Sequence, residues 1–155
     1  MILVSACLIG KNCRYDGKNN LRPILSKLPP DKLFPFCPEE LGGLPTPRCP
    51  VELISGNHGG ECTALDCEGQ DVTREFLAGA REACRLARDI GAKAAILKER
   101  SPSCGTKVIY DGTFSHRTVP GRGLTTRMLS AAGIRVISDE DLSEELVQEL
   151  TADWD

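Results

Sequence analysis

Four short apolar runs constrain the fold of this 155-residue chain most: residues 2–6, 33–37, 94–97 and 134–137. Continuous apolar runs of this length are typical of strands that are buried on both faces of a parallel sheet. Residues 73–90 instead place apolar side chains at helical spacing and end at Gly91. Strands that alternate with helices predict an α/β fold, a single domain over residues 1–155 with a mostly parallel, Rossmann-like sheet flanked by helices.

The remaining segments give weaker signals. Further helices are predicted at residues 22–33, where Pro29 and Pro30 are expected to break the helix early, and at 124–132 and 139–150, the last capped by Ser138. Short strands are predicted at 51–54 and 63–65. Asp111 and Gly112 predict a hairpin in which residues 108–110 pair with residues 113–114. Residues 38–60 are rich in Pro and Gly and predict a long irregular loop. Such a loop in a compact domain is usually functional, and a disordered insert is the alternative.

Charge and composition restrict the class of partner. Residues 139–155 hold eight of the 22 acidic residues and no base, so the body of the chain carries a balance of +5. This fits a small anionic ligand and not duplex nucleic acid, which needs a dense basic face, although ordinary scattered surface charge explains it equally well. No run approaches the roughly 18–20 apolar residues of a membrane span. We therefore expect a cytoplasmic protein with no membrane partner.

Three cysteines share one context, because each lies at or beyond the end of an apolar run. Cys7 follows the first run, Cys37 ends the second, and Cys104 lies in the polar loop after the third. The carboxyl ends of parallel strands meet at one edge of a sheet, so these thiols are predicted to converge. Three thiolates leave one coordination position of a metal centre open, as catalytic sites require. The alternative is that each cysteine is a small buried apolar residue.

Eight cysteines in a reducing compartment are more typical of metal ligands, catalytic groups or buried thiols than of disulfides. Cys62 and Cys67 form a C-x4-C pair that either binds zinc with Cys13 or Cys49 or is incidental. His58 and His116 lie in polar loops, where surface positions are expected although either can ligate a metal. Cys84 falls on the apolar face of the helix predicted at residues 73–90 and is expected in the core.

Several motifs, in this order, carry a resemblance to a known family: VSACLIG (4–10), RYDG (14–17), FCPE (36–39), GGLPTPR (42–48), GQDVT (69–73), ILKERSPSCG (96–105), YDGTF (110–114) and GRG (121–123). Together they resemble the thiouracil desulfidase (TudS) family over about residues 3 to 137. One departure is Cys49, which stands where such sequences often have a proline after Thr-Pro-Arg.

The resemblance implies a 4Fe–4S cluster that three cysteines bind, leaving one iron without a protein ligand. By motif these are Cys7, Cys37 and Cys104. In that family the open iron is thought to take sulfur from a thiolated uracil base, giving the oxo base and hydrogen sulfide. An open iron is a Lewis acid, so it can bind the sulfur and polarise the carbon that carries it.

The resemblance also implies a carboxylate and a serine beside the cluster. By motif the carboxylate is Glu39, with Glu40 and Glu52 as competitors, and the serine is Ser101 or Ser103. The carboxylate would take a proton from water or give one to the base nitrogen, and the serine would position the base or relay a proton.

A phosphorylated substrate such as 4-thio-UMP would need an anion site. Gly121 and Gly123 precede a predicted helix, whose positive end attracts anions. Thr125 can add a hydroxyl, and Arg48 or Arg100 can add charge.

These features predict a cytoplasmic, iron–sulfur-dependent desulfidase of the 4-thiouracil or 4-thio-UMP class. It would release hydrogen sulfide by hydrolysis without net redox change, and act as a monomer or homodimer on a small thiolated base or nucleotide. Two alternatives remain: a non-catalytic zinc or iron–sulfur binding module, and a cysteine-based redox enzyme, although the chain lacks C-x-x-C.

Overall fold

A computed structural model describes residues 1–55 and 62–152 of the chain. The strands are β1 (Ile2–Ser5), β2 (Leu33–Phe36), β3 (Val51–Ser55), β4 (Cys62–Asp66), β5 (Ala94–Leu97), β6 (Val108–Tyr110), β7 (Thr118–Pro120) and β8 (Arg135–Ser138). The α-helices are α1 (Pro38–Leu41), α2 (Thr73–Asp89), α3 (Leu124–Ala131) and α4 (Glu144–Thr151). Short 3-10 turns cover Ala6–Ile9, Pro23–Lys27, Pro30–Lys32 and Asp139–Asp141.

The central sheet is parallel and has four strands in the order β2-β1-β5-β8. Every residue of β1 and β5 is buried, as the continuous apolar runs predict. Ile2, Val4 and Ile96 pack on one face against the 3-10 turns and α4, while Leu3 and Ala95 pack on the other against α2 and α3. The predicted α/β class and its parallel sheet are confirmed.

Two antiparallel ribbons, β3–β4 and β6–β7, extend this framework. A separate apolar cluster centred on Phe76 joins them to α2 and α3. The short helix α1 lies directly against α2: a Cβ on Gly42 would fall 2.0 Å from the Glu75 carbonyl oxygen, and one on Gly79 would fall 2.0 Å from that of Pro38. This backbone contact fixes the start of α1, which follows Cys37.

The prediction of an α-helix at residues 22–33 is wrong. Two 3-10 turns, Pro23–Lys27 and Pro30–Lys32, stand there instead, because Pro29 and Pro30 lack the backbone N–H that a helix interior needs. The last helix also begins later than predicted. Ser138 caps only the 3-10 turn directly after it, and Ser143 caps α4 by accepting from the N–H of Leu146.

The hairpin after β6 is longer than predicted, since β6 pairs with β7 and not with residues 113–114. Asp111 accepts a hydrogen bond from Thr113 and closes a local turn inside the hairpin. Within residues 38–60, predicted as an irregular loop with a short strand at 51–54, β3 confirms the strand and α1 is a helix that was not predicted. Residues 56–60 lie outside the described part. Across residues 1–55 and 62–152, no helix is long and apolar enough to span a membrane.

Candidate metal centre and active site

A cavity of about 470 Å³ lies where β1, β2 and β5 end. Cys7, Cys37 and Cys104, the three thiols that the sequence placed beyond strands, all line it. Cys7 and Cys104 are buried and Cys37 is half-buried. The convergence results from the parallel sheet, because its strands deliver their succeeding residues to the same edge.

A fourth thiol, Cys13, is buried in the same group and hydrogen-bonds with Cys7 and Cys37. Its bond lowers the pKa of Cys7 to about 7, and bonding from Asn20 adds to this while burial opposes it. Hydrogen bonds with Cys37 and Cys7, and then burial, raise the pKa of Cys13. Cys13 therefore keeps a proton and favours the thiolate form of Cys7. The sequence suggested Cys13 only as a partner for Cys62 and Cys67.

Ligand atoms of Cys13, Cys37 and Glu40 lie within 4.8 Å of one another, an arrangement able to hold a metal ion. Burial raises the pKa of Cys104, and the charges of Glu39 and Cys7 act in the same direction. Thiolates bind iron and zinc strongly, and a bound metal removes the thiol proton. The donor set therefore fits a soft metal centre or an iron–sulfur cluster.

Glu39 and the two serines form a hydrogen-bonded chain at the wall of the cavity. The Ser103 hydroxyl donates to Glu39 Oε1 at 2.6 Å and lies 3.0 Å from the Ser101 hydroxyl. This hydrogen-bonded chain touches two of the thiols, since Glu39 Oε2 is 3.6 Å from Cys37 Sγ and Ser103 Oγ is 3.6 Å from Cys104 Sγ. The arrangement can carry a proton between the carboxylate and the outer serine.

A buried carboxylate, Glu99, organises the loop that holds these serines. It accepts hydrogen bonds from the N–H groups of Thr106, Lys107 and Val108 and from the Thr106 hydroxyl. Burial alone would raise the pKa of Glu99, but hydrogen bonds from Ser138 and from these donors outweigh it and lower that pKa to about 2. The charge of Glu99 is thus part of the fold, a role that sequence reasoning missed.

Asp139 anchors the other end of the same loop. Its buried carboxylate accepts the Glu99 N–H at 2.7 Å and pairs with Arg22 at 2.8 Å. Ser5, the last residue of β1, accepts the Lys98 N–H at 3.1 Å. The loop is therefore tied to both strands that flank β5.

The predicted anion site at the start of α3 does not line the cavity. The N–H groups of Gly121, Gly123 and Leu124 donate to backbone carbonyl oxygens of Lys107, Gly105 and Pro102. Thr125 is fully buried, and its hydroxyl has no hydrogen-bond partner among the described residues. The positive end of α3 instead holds the serine and cysteine loop in place.

Arg48 and Arg100, the two predicted cations, do line the cavity. Arg48 donates to the carbonyl oxygen of Cys13 at 2.9 Å, and Arg100 pairs with Glu140 at 3.1 Å. Lys98 also lines the cavity, and its charge helps to lower the pKa of Cys7. Its place directly after β5 was the signal that could have identified it.

The competing carboxylates have different surroundings. Glu52 lines the cavity, but its carboxylate accepts the N–H groups of Gly112 and Phe114 and so holds the β6–β7 hairpin. Glu40 is exposed and lies beside Cys37.

Aromatic rings on the cavity wall were missed by sequence reasoning. Tyr110 and His116 meet edge to face at 6.4 Å and line the cavity together with Phe114 and Tyr15. His116, expected at the surface, is exposed and also borders the cavity, whereas His58 lies outside the described residues.

The site agrees with a match found by comparison with known families. The sequence model of the 2-thiouracil desulfurase family matches residues 2–141, nearly the whole chain. The chain belongs to the 2-thiouracil desulfurase family. This confirms the resemblance that the motifs carried.

Two similar proteins show how far the likeness extends. The uncharacterized protein YbbK of Bacillus subtilis (strain 168) is 44% identical over 149 residues, which is 93% of this chain and 99% of that protein. A solved structure of the 4Fe–4S-dependent thiouracil desulfidase TudS is 42% identical, covers 97% of both chains and superposes with a TM-score of 0.85. This desulfurase chain thus shares its fold with a protein described as cluster-dependent.

Proposed function

We propose that this chain is a 4Fe–4S-dependent desulfidase of thiolated pyrimidines, of the 4-thiouracil or 4-thio-UMP class. The reaction is a hydrolysis, in which water replaces sulfur to give uracil or UMP and hydrogen sulfide, with no net oxidation or reduction. The observation that carries the proposal is the meeting of Cys7, Cys37 and Cys104 around one cavity beside the Glu39–Ser103 chain. Family membership and the likeness to TudS support it.

Cys7, Cys37 and Cys104 would hold the cluster and leave one iron without a protein ligand. When bound, that iron supplies a Lewis acid for the substrate sulfur. The polar residues of the chain then have separate tasks. Glu39 takes a proton from the attacking water, and Ser103 and Ser101 pass a proton towards the ring nitrogen or the departing sulfide.

The wall of the cavity suits a flat, anionic substrate. Tyr110, Phe114 and His116 offer ring surfaces beside a heterocycle. Arg48 and Arg100 carry the positive charge that a 5′-phosphate would need. Gly121, Gly123 and Thr125 would act on the loop and not on the substrate, because the N–H groups of both glycines are already bonded. We place the reaction in the cytoplasm, where thiols stay reduced.

Anaerobic reconstitution tests the proposal directly. Iron and acid-labile sulfide per chain, together with the visible spectrum, report the cluster. Incubation with 4-thiouracil and with 4-thio-UMP should yield hydrogen sulfide and the oxo product in equal amounts. Cys37→Ala and Cys104→Ala should lose cluster and turnover together, whereas Cys84→Ser, on α2 and not among the residues that line the cavity, should keep both. A loaded protein that releases no sulfide from either substrate would reject the proposal.

Glu39→Gln separates the proton role of Glu39 from metal binding. The Gln side chain keeps the shape of Glu and an oxygen that accepts the Ser103 hydroxyl, so the iron content of the protein should be unchanged. Turnover should fall by about 10²–10⁴-fold, the usual contribution of a general base. A loaded Glu39→Gln protein with the parent rate would remove Glu39 from the mechanism.

The position of Cys13 favours one rival function, a non-catalytic metal module. With Cys7, Cys37 and Cys104 it completes four thiols, enough to close every coordination position of a zinc ion. Cys13→Ser decides between the two. Cluster content and turnover survive in the desulfidase, but a module that needs four thiols loses its metal.

A further inference from the structure

A second thiol pair, separate from the cluster ligands, lies at the edge of the cavity. Cys49 and Cys67 both line the cavity, and the backbone of Cys67 is hydrogen-bonded to Pro50, the residue that follows Cys49. Cys67 is exposed and Cys49 is half-buried. Neither residue has a part in the desulfidase mechanism.

The backbone on both sides keeps the two thiols together. The Cys67 N–H donates to the Pro50 carbonyl oxygen at 3.0 Å, which continues the β3–β4 ladder by one residue pair. Asp66 fixes the turn after β4, because its carboxylate accepts the N–H groups of Glu68 and Gln70 at 2.9 Å each. The segments that carry the two cysteines are therefore adjacent in the fold, as a disulfide between them requires.

From this placement we propose that Cys49 and Cys67 form a reversible disulfide at the cavity edge, made by exchange with a low-molecular-weight disulfide of the glutathione class. The exposed thiolate of Cys67 attacks the disulfide, so that a mixed disulfide forms and one glutathione thiolate leaves. Cys49 then attacks the Cys67 sulfur and releases the second glutathione. Two protein thiols and one glutathione disulfide thus give one protein disulfide and two glutathione thiols.

The bond would tie two segments of the cavity wall. Cys49 follows Arg48, whose guanidinium donates to the Cys13 carbonyl oxygen, and Cys67 opens the turn after β4. Closing the loop between residues 49 and 67 also restricts the unfolded chain. The oxidised protein should therefore melt at a temperature about 6–12 °C higher than the reduced one.

The test uses the cluster-loaded protein under anaerobic conditions, in glutathione buffers of graded ratio. Free thiols are alkylated, and the chain is cut with trypsin and a glutamate-specific protease. Cleavage after Glu52 and Glu61 separates Cys49 from the fragment that holds Cys67. The expected product is one cross-link between these fragments, lost on return to reduced glutathione.

Single variants identify the partners and guard against a wrong assignment. Cys62→Ser is the matched control, because Cys62 shares the fragment of Cys67 but packs against the apolar cluster around Phe76. It should keep the cross-link and the rise in melting temperature, whereas Cys49→Ser and Cys67→Ser should lose both. Three results would each overturn the proposal. The first is that Cys49 and Cys67 remain free thiols in a glutathione buffer that is oxidising enough to convert dithiothreitol to its disulfide. The others are a separate glutathione adduct on each cysteine, or a disulfide that joins either of them to Cys62.

Discussion

Replacing Glu99 by Gln tests whether the charge of one buried carboxylate holds the active-site loop. Gln keeps the size of the side chain and one acceptor oxygen, but it removes the charge that receives the N–H groups of Thr106, Lys107 and Val108. Hydrogen bonds to a charged acceptor are roughly twice as strong as neutral ones. The substitution should therefore destabilise the fold without creating a cavity.

The lowered pKa of Glu99 gives the size of the expected loss in the free energy of unfolding. The fold moves it from an ordinary value of 4.5 to about 2. At about 1.4 kcal/mol per pKa unit, the ionised form contributes about 3 kcal/mol to the free energy of unfolding. Because the pKa is lowered in the folded state, this contribution is complete above the unfolded pKa and is lost as the pH falls towards 2. Near pH 3 about 2 kcal/mol of it should be gone.

Urea unfolding of the cluster-free chain, near pH 7 and near pH 3, measures this directly. Glu99→Gln should be about 3 kcal/mol less stable than the parent near pH 7, and the difference should shrink by about 2 kcal/mol near pH 3. Glu145→Gln, an exposed carboxyl on α4, is the control and should change little at either pH. Equal differences at both pH values would refute the role of the charge.

Three further substitutions test the same site. Ser103→Ala removes the hydroxyl that bonds Glu39, and turnover should fall by about 10²-fold with unchanged iron content; an unaltered rate would exclude the serine from proton transfer. Gly123→Ala places a Cβ 2.3 Å from the Ser103 carbonyl carbon, so urea unfolding should show a loss of about 1–3 kcal/mol, and parent stability would contradict the contact. Asp139→Asn weakens the bonds to Arg22 and to the loop, and the same assay should show a loss of about 1–3 kcal/mol; no change would mean that this anchor is dispensable.

The central sheet and the convergence of three thiols could be predicted because both depend on local pattern. A continuous apolar run specifies a buried strand, and parallel strands bring the residues that succeed them to one edge of the sheet. Cys7 and Cys37 lie so close to the ends of β1 and β2 that they needed no knowledge of loop paths, whereas Cys104 lies further along a loop that Glu99 and Asp139 hold in place. The failed helix at residues 22–33 has a local cause too, since Pro29 and Pro30 outweighed the surrounding propensity.

Contacts between loops could not be predicted from the sequence. Gly123 was predicted to bind an anion, but its N–H holds the Gly105 carbonyl oxygen, a pairing that depends on how two distant segments cross. The position of Cys13 also depends on the tertiary structure: it lies with Cys7 and Cys37, whereas the sequence suggested it as a partner of Cys62 and Cys67.

The amino-acid sequence by itself determined the α/β class and the edge of the sheet where three thiols meet, because strand length and apolar periodicity are short-range properties. Its motifs determined the family. Only the tertiary structure decided which side chains share hydrogen bonds there. Buried groups such as Glu99 must find partners wherever the folded chain supplies them, and those partners need not be near in sequence.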